Sequence, residues 1–114
     1  MSVRRKLWLV GLSHHSAPVE VREKLAFENG AVSAAIRKLL DLPGIEEGAL
    51  VSTCNRVEVV ACADGETSKA RPIGEFLARE RGLAPSRFAD HLYVHEDREA
   101  VRHLFRVASS LDSM

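Results

Sequence analysis

The chain reads as an α+β domain: a largely antiparallel sheet covered by helices on one face, with one more helix at the C-terminal end. Three observations predict this. At 114 residues and 12.6 kDa the chain has the size of a single domain. Its 46% hydrophobic and 28% charged residues can fill a core and cover it, which excludes disordered and low-complexity classes. Its apolar runs also switch between strand-like and helix-like periodicity, in an order that places a hairpin mid-chain.

Leu7 to Leu12 is apolar on both faces and predicts a buried strand, followed by a polar loop from Ser13 to Pro18. Pro18 opens a helix over Val19 to Phe27, because proline is tolerated in a first turn. Ala31 to Leu42 predicts a second helix, with Val32, Ala35, Ile36, Leu39 and Leu40 at the i, i+3, i+4 spacing of one face. Asn29-Gly30 separates the two helices and Pro43-Gly44 ends the second. Ala49 to Ser52 and Val57 to Cys62 are β-rich runs joined by Thr53-Cys54-Asn55-Arg56, a connection short enough for a hairpin with a cysteine at its tip. Asp64-Gly65 breaks the second of these strands. Ser68 to Arg81 returns to helical character through Ile73, Phe76 and Leu77, with Gly82 as its stop. After a connector at Pro85-Ser86, Leu92 to His95 makes a last strand, and Asp97 to about Ser109 a last helix. With the first two helices taken as one broken crossover, the order is the βαββαβ plan of the ferredoxin-like sandwich plus a trailing helix.

Sixteen Lys+Arg balance sixteen Asp+Glu, so no long-range field favours a polyanion or an anionic membrane. The two cysteines, Cys54 and Cys62, fit neither a disulfide scaffold nor a zinc site, and point to a reducing, cytoplasmic setting. The longest apolar run is too short to span a bilayer, and no cleavage site follows the basic Arg4-Arg5-Lys6. The last residues leave a strongly patterned helix without a Gly or Pro stop, so the end reads as cut.

Cys54 is the first chemical candidate. A thiol acts as a nucleophile once it is a thiolate, and Arg56 and the backbone N–H groups of a polar turn could favour that form. The competing reading is inert packing, the usual fate of single cysteines and the one that suits Cys62 within its strand. His103 is the second candidate. A helical wheel groups Val101, Leu104, Phe105, Ala108 and Leu111 on one face and sets His103 well away from it. It is then either a solvent-exposed residue or a cleft residue that moves a proton. His15 and His95 lack a third ligand at metal spacing, so no metal is assigned. Arg98, Arg102 and Arg106 form a basic stripe, readable as a solvated face or as a phosphate contact. Neither a G-x-G-x-x-G nor a G-x-x-x-x-G-K-[ST] motif is present.

The stretches Gly11 to Phe27, Leu50 to Val60 and Val101 to Ser113 together resemble the N-terminal catalytic domain of glutamyl-tRNA reductase. Three ordered motifs carry the resemblance, and the family's ferredoxin-like fold agrees with the element order. The resemblance implies the first step of tetrapyrrole (porphyrin) synthesis, in which glutamate esterified to its tRNA is reduced with NADPH to glutamate-1-semialdehyde. Cys54 would attack the aminoacyl ester and form a thioester, which hydride would then reduce. Thr53, Asn55, Arg56 and Ser113 match substrate-binding positions, with Arg56 suited to grip the glutamate side-chain carboxylate. His103 matches a histidine important for activity.

Residues 1–114 would thus be the catalytic, glutamate-recognising domain. The NADPH-binding and dimerisation domains are expected to lie beyond Met114, and the partners to be glutamyl-tRNA, a second subunit and the downstream aminomutase. The chain alone is then expected to do no more than acylate Cys54 or hydrolyse the ester. Ser110 departs from the family's glycine, which puts the end of the last helix in question. A non-catalytic module that binds a partner protein, and a general RNA binder, are the competing classes; the neutral charge disfavours the second.

Overall fold

The structure is a computed structural model and describes residues 5–64 and 67–109. Ser110, Ser113 and Gly65, named above, lie outside the described residues. The elements in order are β1 (Arg5–Ser13), α1 (Val19–Leu25), α2 (Asn29–Leu40), β2 (Ile45–Ser52), β3 (Arg56–Asp64), α3 (Ala70–Glu80), β4 (Tyr93–Glu96) and α4 (Asp97–Ala108). Two short 3-10 turns, Pro85–Arg87 and Ala89–His91, occupy the connector before β4. Asn29-Gly30, expected to separate two helices, instead forms the first turn of α2, and Ala26 to Glu28 provides the break.

The strands form one sheet in the order β2-β3-β1-β4, with every neighbouring pair antiparallel. This is the α+β sandwich the element order predicts. Successive side chains of a strand point to opposite faces. Trp8, Val10 and Leu12 of β1 and Val57, Val59, Ala61 and Ala63 of β3 therefore share one face, and α1, α2 and α3 close over it with Leu25, Ala35, Leu39, Ile73, Phe76 and Leu77. Burying aliphatic and aromatic side chains here contributes about 1.5–3 kcal/mol each. α3 stops where its glycine predicts: Gly82 has φ +68°, its N–H donates to Arg79 O at 3.0 Å, and Leu83 N–H donates to Ala78 O at 2.8 Å. This pair of bonds is a Schellman cap.

α4 lies against the other face of the sheet, where it packs on β1 and β4. Its inward residues are Ala100, His103, Leu104 and Val107, while Phe105 is 72% and Val101 42% exposed. The wheel drawn from apolar positions therefore picked a face that is largely outward, and His103 sits on the packed one. β4 runs into α4 with no loop between them. Asp97 turns the chain with φ +44°, and its Oδ1 accepts from Leu7 N–H at 2.9 Å. Asp tolerates this left-handed conformation better than most residues. Asp97→Ala removes that tolerance and the acceptor together, and is expected to lower stability by about 1–2 kcal/mol in chemical denaturation.

Candidate active site

The site begins at the β2–β3 hairpin. Thr53 N–H donates to Arg56 O at 2.8 Å, and Thr53 Oγ1 accepts from the N–H groups of Asn55 and Arg56, both at 3.2 Å. Thr53 thereby closes the turn, leaving Cys54 and Asn55 at its tip with Cys54 exposed. Cys62 is half-buried within β3, away from this turn. Two outside contacts hold the turn. His14 N–H, from the loop after β1, donates to Asn55 O at 2.8 Å, and Arg22 Nη1 of α1 donates to Cys54 O at 3.2 Å. Arg22 is a cation at the cysteine that sequence reasoning did not single out.

Arg56 opens β3 and points to the face that carries α4. Period two puts Glu58 on the same face, and both side chains are buried, at 2% and 0% exposure. Arg56 Nη1 donates to Glu58 Oε2 at 3.1 Å. The same oxygen accepts from the Tyr93 hydroxyl of β4 and contacts His103 Nε2 of α4. Glu58 Oε1 has no hydrogen-bond partner among the described residues. Three elements, β3, β4 and α4, thus converge on one carboxylate through Arg56, Glu58, Tyr93 and His103. Gly11 makes this possible. Val51, Glu58, Gly11 and Tyr93 stand side by side across the four strands, and a Cβ on Gly11 would lie 2.8 Å from both Cα and Cγ of Glu58.

Tyr93 is held as a donor, because burial, reinforced by the hydrogen bond to Glu58 and that carboxylate's charge, raises its pKa well above the ordinary phenol value; Arg56 and Ser13 oppose the shift. His95, one step along β4, stacks on His103 with ring centroids 4.8 Å apart. Its pKa is lowered, first by burial and then by the neighbouring His103, against the pull of Glu58 and Glu99. Ser13, His15, Ser16, Tyr93, His95, His103 and Arg106 line an open cleft of about 460 Å³. Cys54 does not line it; the His14–Asn55 bond and the pairing of Ser13 with Arg56 tie the cysteine turn to its rim. A second cleft of about 450 Å³ beside α3 and β4 is mainly apolar, and the ionic groups on its wall, Arg71 and Glu75, pair with each other.

The structure therefore joins Thr53, Asn55 and Arg56 to Cys54 in one turn and links Arg56 to His103 through Glu58. Glu58 and Tyr93 are the residues that sequence reasoning missed. The available signal was the Arg-x-Glu spacing at the start of a strand, which puts opposite charges on one face. The arginine stripe of α4 is exposed, with Arg102 3.6 Å from Glu99 and Arg106 on the cleft. Among the described residues no three His, Cys, Asp or Glu side chains are placed to hold a metal ion, and no helix is long and apolar enough to cross a membrane.

Residues 10–114 match the family model described as the glutamyl-tRNAGlu reductase N-terminal domain. Glutamyl-tRNA reductase 2 of Anaeromyxobacter dehalogenans is 50% identical over the whole chain, and glutamyl-tRNA reductase of Syntrophotalea carbinolica 47% identical over 93% of it. The chain spans 24% of the length of each of these two relatives. Among solved structures, glutamyl-tRNA reductase from Methanopyrus kandleri superposes with a TM-score of 0.71 and 38% identity, over 95% of this chain and 23% of that one. The matched region contains the hairpin, the buried carboxylate and α4, and on this ground the chain belongs to the glutamyl-tRNA reductase N-terminal domain family.

Proposed function

We propose that residues 1–114 are the catalytic, glutamate-recognising domain of a glutamyl-tRNA reductase, and that Cys54 is its nucleophile. The observation that carries this reading is the exposed thiol at the tip of a turn held from three sides, by Thr53, His14 and Arg22. The Cys54 thiolate attacks the ester carbonyl of glutamyl-tRNA. A C–S bond forms, the bond from that carbon to the ribose oxygen breaks, and the ribose oxygen takes up a proton as the tRNA leaves. His103 assists this proton transfer from the cleft, Thr53 and Asn55 shape the turn around the substrate, and Arg56 supplies the positive charge for the glutamate carboxylate; Ser113 completes the set of substrate contacts.

In the whole enzyme NADPH would reduce the thioester to glutamate-1-semialdehyde, for porphyrin synthesis in the cytoplasm. The described residues do not fit that cofactor: the sheet is antiparallel, and no strand leads through a glycine-rich turn into a crossover helix where a pyrophosphate could rest. This chain is therefore assigned the acyl-transfer half alone, with the second subunit and an aminomutase as partners of the whole enzyme. Incubation with glutamyl-tRNA, an acid quench and intact-protein mass analysis tests it. A glutamyl adduct mapping to Cys54 and absent from Cys54→Ser is expected, with the variant's stability within about 0.5 kcal/mol of the parent, because the side chain is exposed. Unmodified protein and intact ester would refute the nucleophile and favour a binding module, for which the exposed Phe105 and Val101 offer a surface.

A further inference from the structure

We propose that Glu58 is the positioning residue of His103: its Oε2 accepts a hydrogen bond from Nε2–H and thereby fixes both the ring's orientation and its tautomer, leaving Nδ1 to exchange protons in the cleft. Four observations carry this. Glu58 is fully buried on a central strand, so its carboxylate has a fixed origin. Its Oε2 meets His103 Nε2, while the ring, 13% exposed, lines the cleft. Tyr93 and Arg56 donate to the same oxygen and hold it in place. His95 stacks on one face of the His103 ring and limits its rotation.

The chemistry follows from the carboxylate's lack of a proton to give. An ionised carboxylate only accepts hydrogen bonds, so the imidazole nitrogen facing it must carry the hydrogen, and in a neutral ring the other nitrogen is then the base. A histidine on a helix has rotatable torsions and two tautomers, and one buried acceptor selects among them. This role rests on the acyl-transfer reading for what His103 does, but not for how His103 is held.

The test has two independent arms. In the first, long-range 1H–15N correlation on the wild-type chain, recorded where histidine is neutral, reads the tautomer of His103 directly and needs no substrate. A protonated Nε2 and a bare Nδ1 are expected; the reverse, or an even mixture, overturns the proposal. In the second, cysteine acylation by glutamyl-tRNA is timed in two variants. Glu58→Gln keeps an acceptor oxygen in place, so it is expected to retain Nε2–H and stay within about tenfold of wild type. Glu58→Leu is expected to mix the tautomers and slow acylation about 100-fold, with little change in KM. A folded Glu58→Leu that acylates at the wild-type rate overturns the proposal. If that variant does not fold, Glu58→Gln decides: a proton lost from Nε2 with no change in rate has the same force. A wild-type chain that shows Nε2–H yet never acylates refutes the nucleophile and leaves the positioning role standing.

Discussion

Gly11→Ala is expected to destabilise the domain by about 3 kcal/mol or more, seen as a large fall in the midpoint of chemical denaturation. The new methyl group would press on the backbone and Cγ of Glu58 at 2.8 Å, and on Val57 O. Backbone of a paired central strand cannot step aside as the end of a flexible side chain can, so the sheet itself must move. Domains of this size are stable by roughly 5–15 kcal/mol, so the loss removes a large share of the total. The same substitution displaces the carboxylate that His103 and Tyr93 share. Any folded remnant should therefore also show changed His103 resonances. A variant with wild-type stability would mean that the strands are spaced more widely at Gly11 than the structure shows.

Arg56→Ala is the second large effect. Removing one member of a buried ion pair leaves the other charge in a dry site and costs about 3–5 kcal/mol. Here Glu58 would keep Tyr93 and His103 but lose its only arginine contact described at hydrogen-bond distance. The paired substitution Arg56→Met with Glu58→Gln removes both charges and keeps an oxygen for Tyr93 and His103. It is expected to recover most of the lost stability, because a buried pair replaced as a unit is often neutral. It should not recover acylation, since it lacks the guanidinium assigned to the glutamate carboxylate. Denaturation midpoints and adduct formation measured on the same three proteins separate the structural role of the pair from its chemical role.

The elements were readable from the sequence because each is written locally. Apolar spacing marks α2 and α3, Thr53 to Arg56 marks the hairpin, and Gly82 marks a cap. The heart of the site was not, because its logic runs between distant positions. Glu58 lies between Val57 and Val59 and reads as a solvent-facing charge in an alternating strand, yet α4 closes over that face. His103 is drawn inward by a carboxylate 45 residues away, and the apolar Phe105 is left outside as a result. A wheel weighted by hydrophobicity has no means of seeing such a pairing. The recognisable motifs did lead to Cys54 and its neighbours, since a turn sequence carries its own hydrogen bonds.

The sheet order has a consequence for the birth of the molecule. β1 is made before both of its partners, β3, whose Asp64 pairs with Arg5, and β4, whose Glu96 pairs with Trp8. At roughly 5–20 residues per second, a ribosome takes on the order of ten seconds to supply the second partner. Through that interval the most apolar strand of the domain has an open edge and lacks the cover of α4, which follows β4 in the sequence. Closure on this side of the sheet then joins Trp8 to Glu96, far apart in the sequence, in a late event, and until it happens the unpaired edge of β1 is open to pairing with other chains.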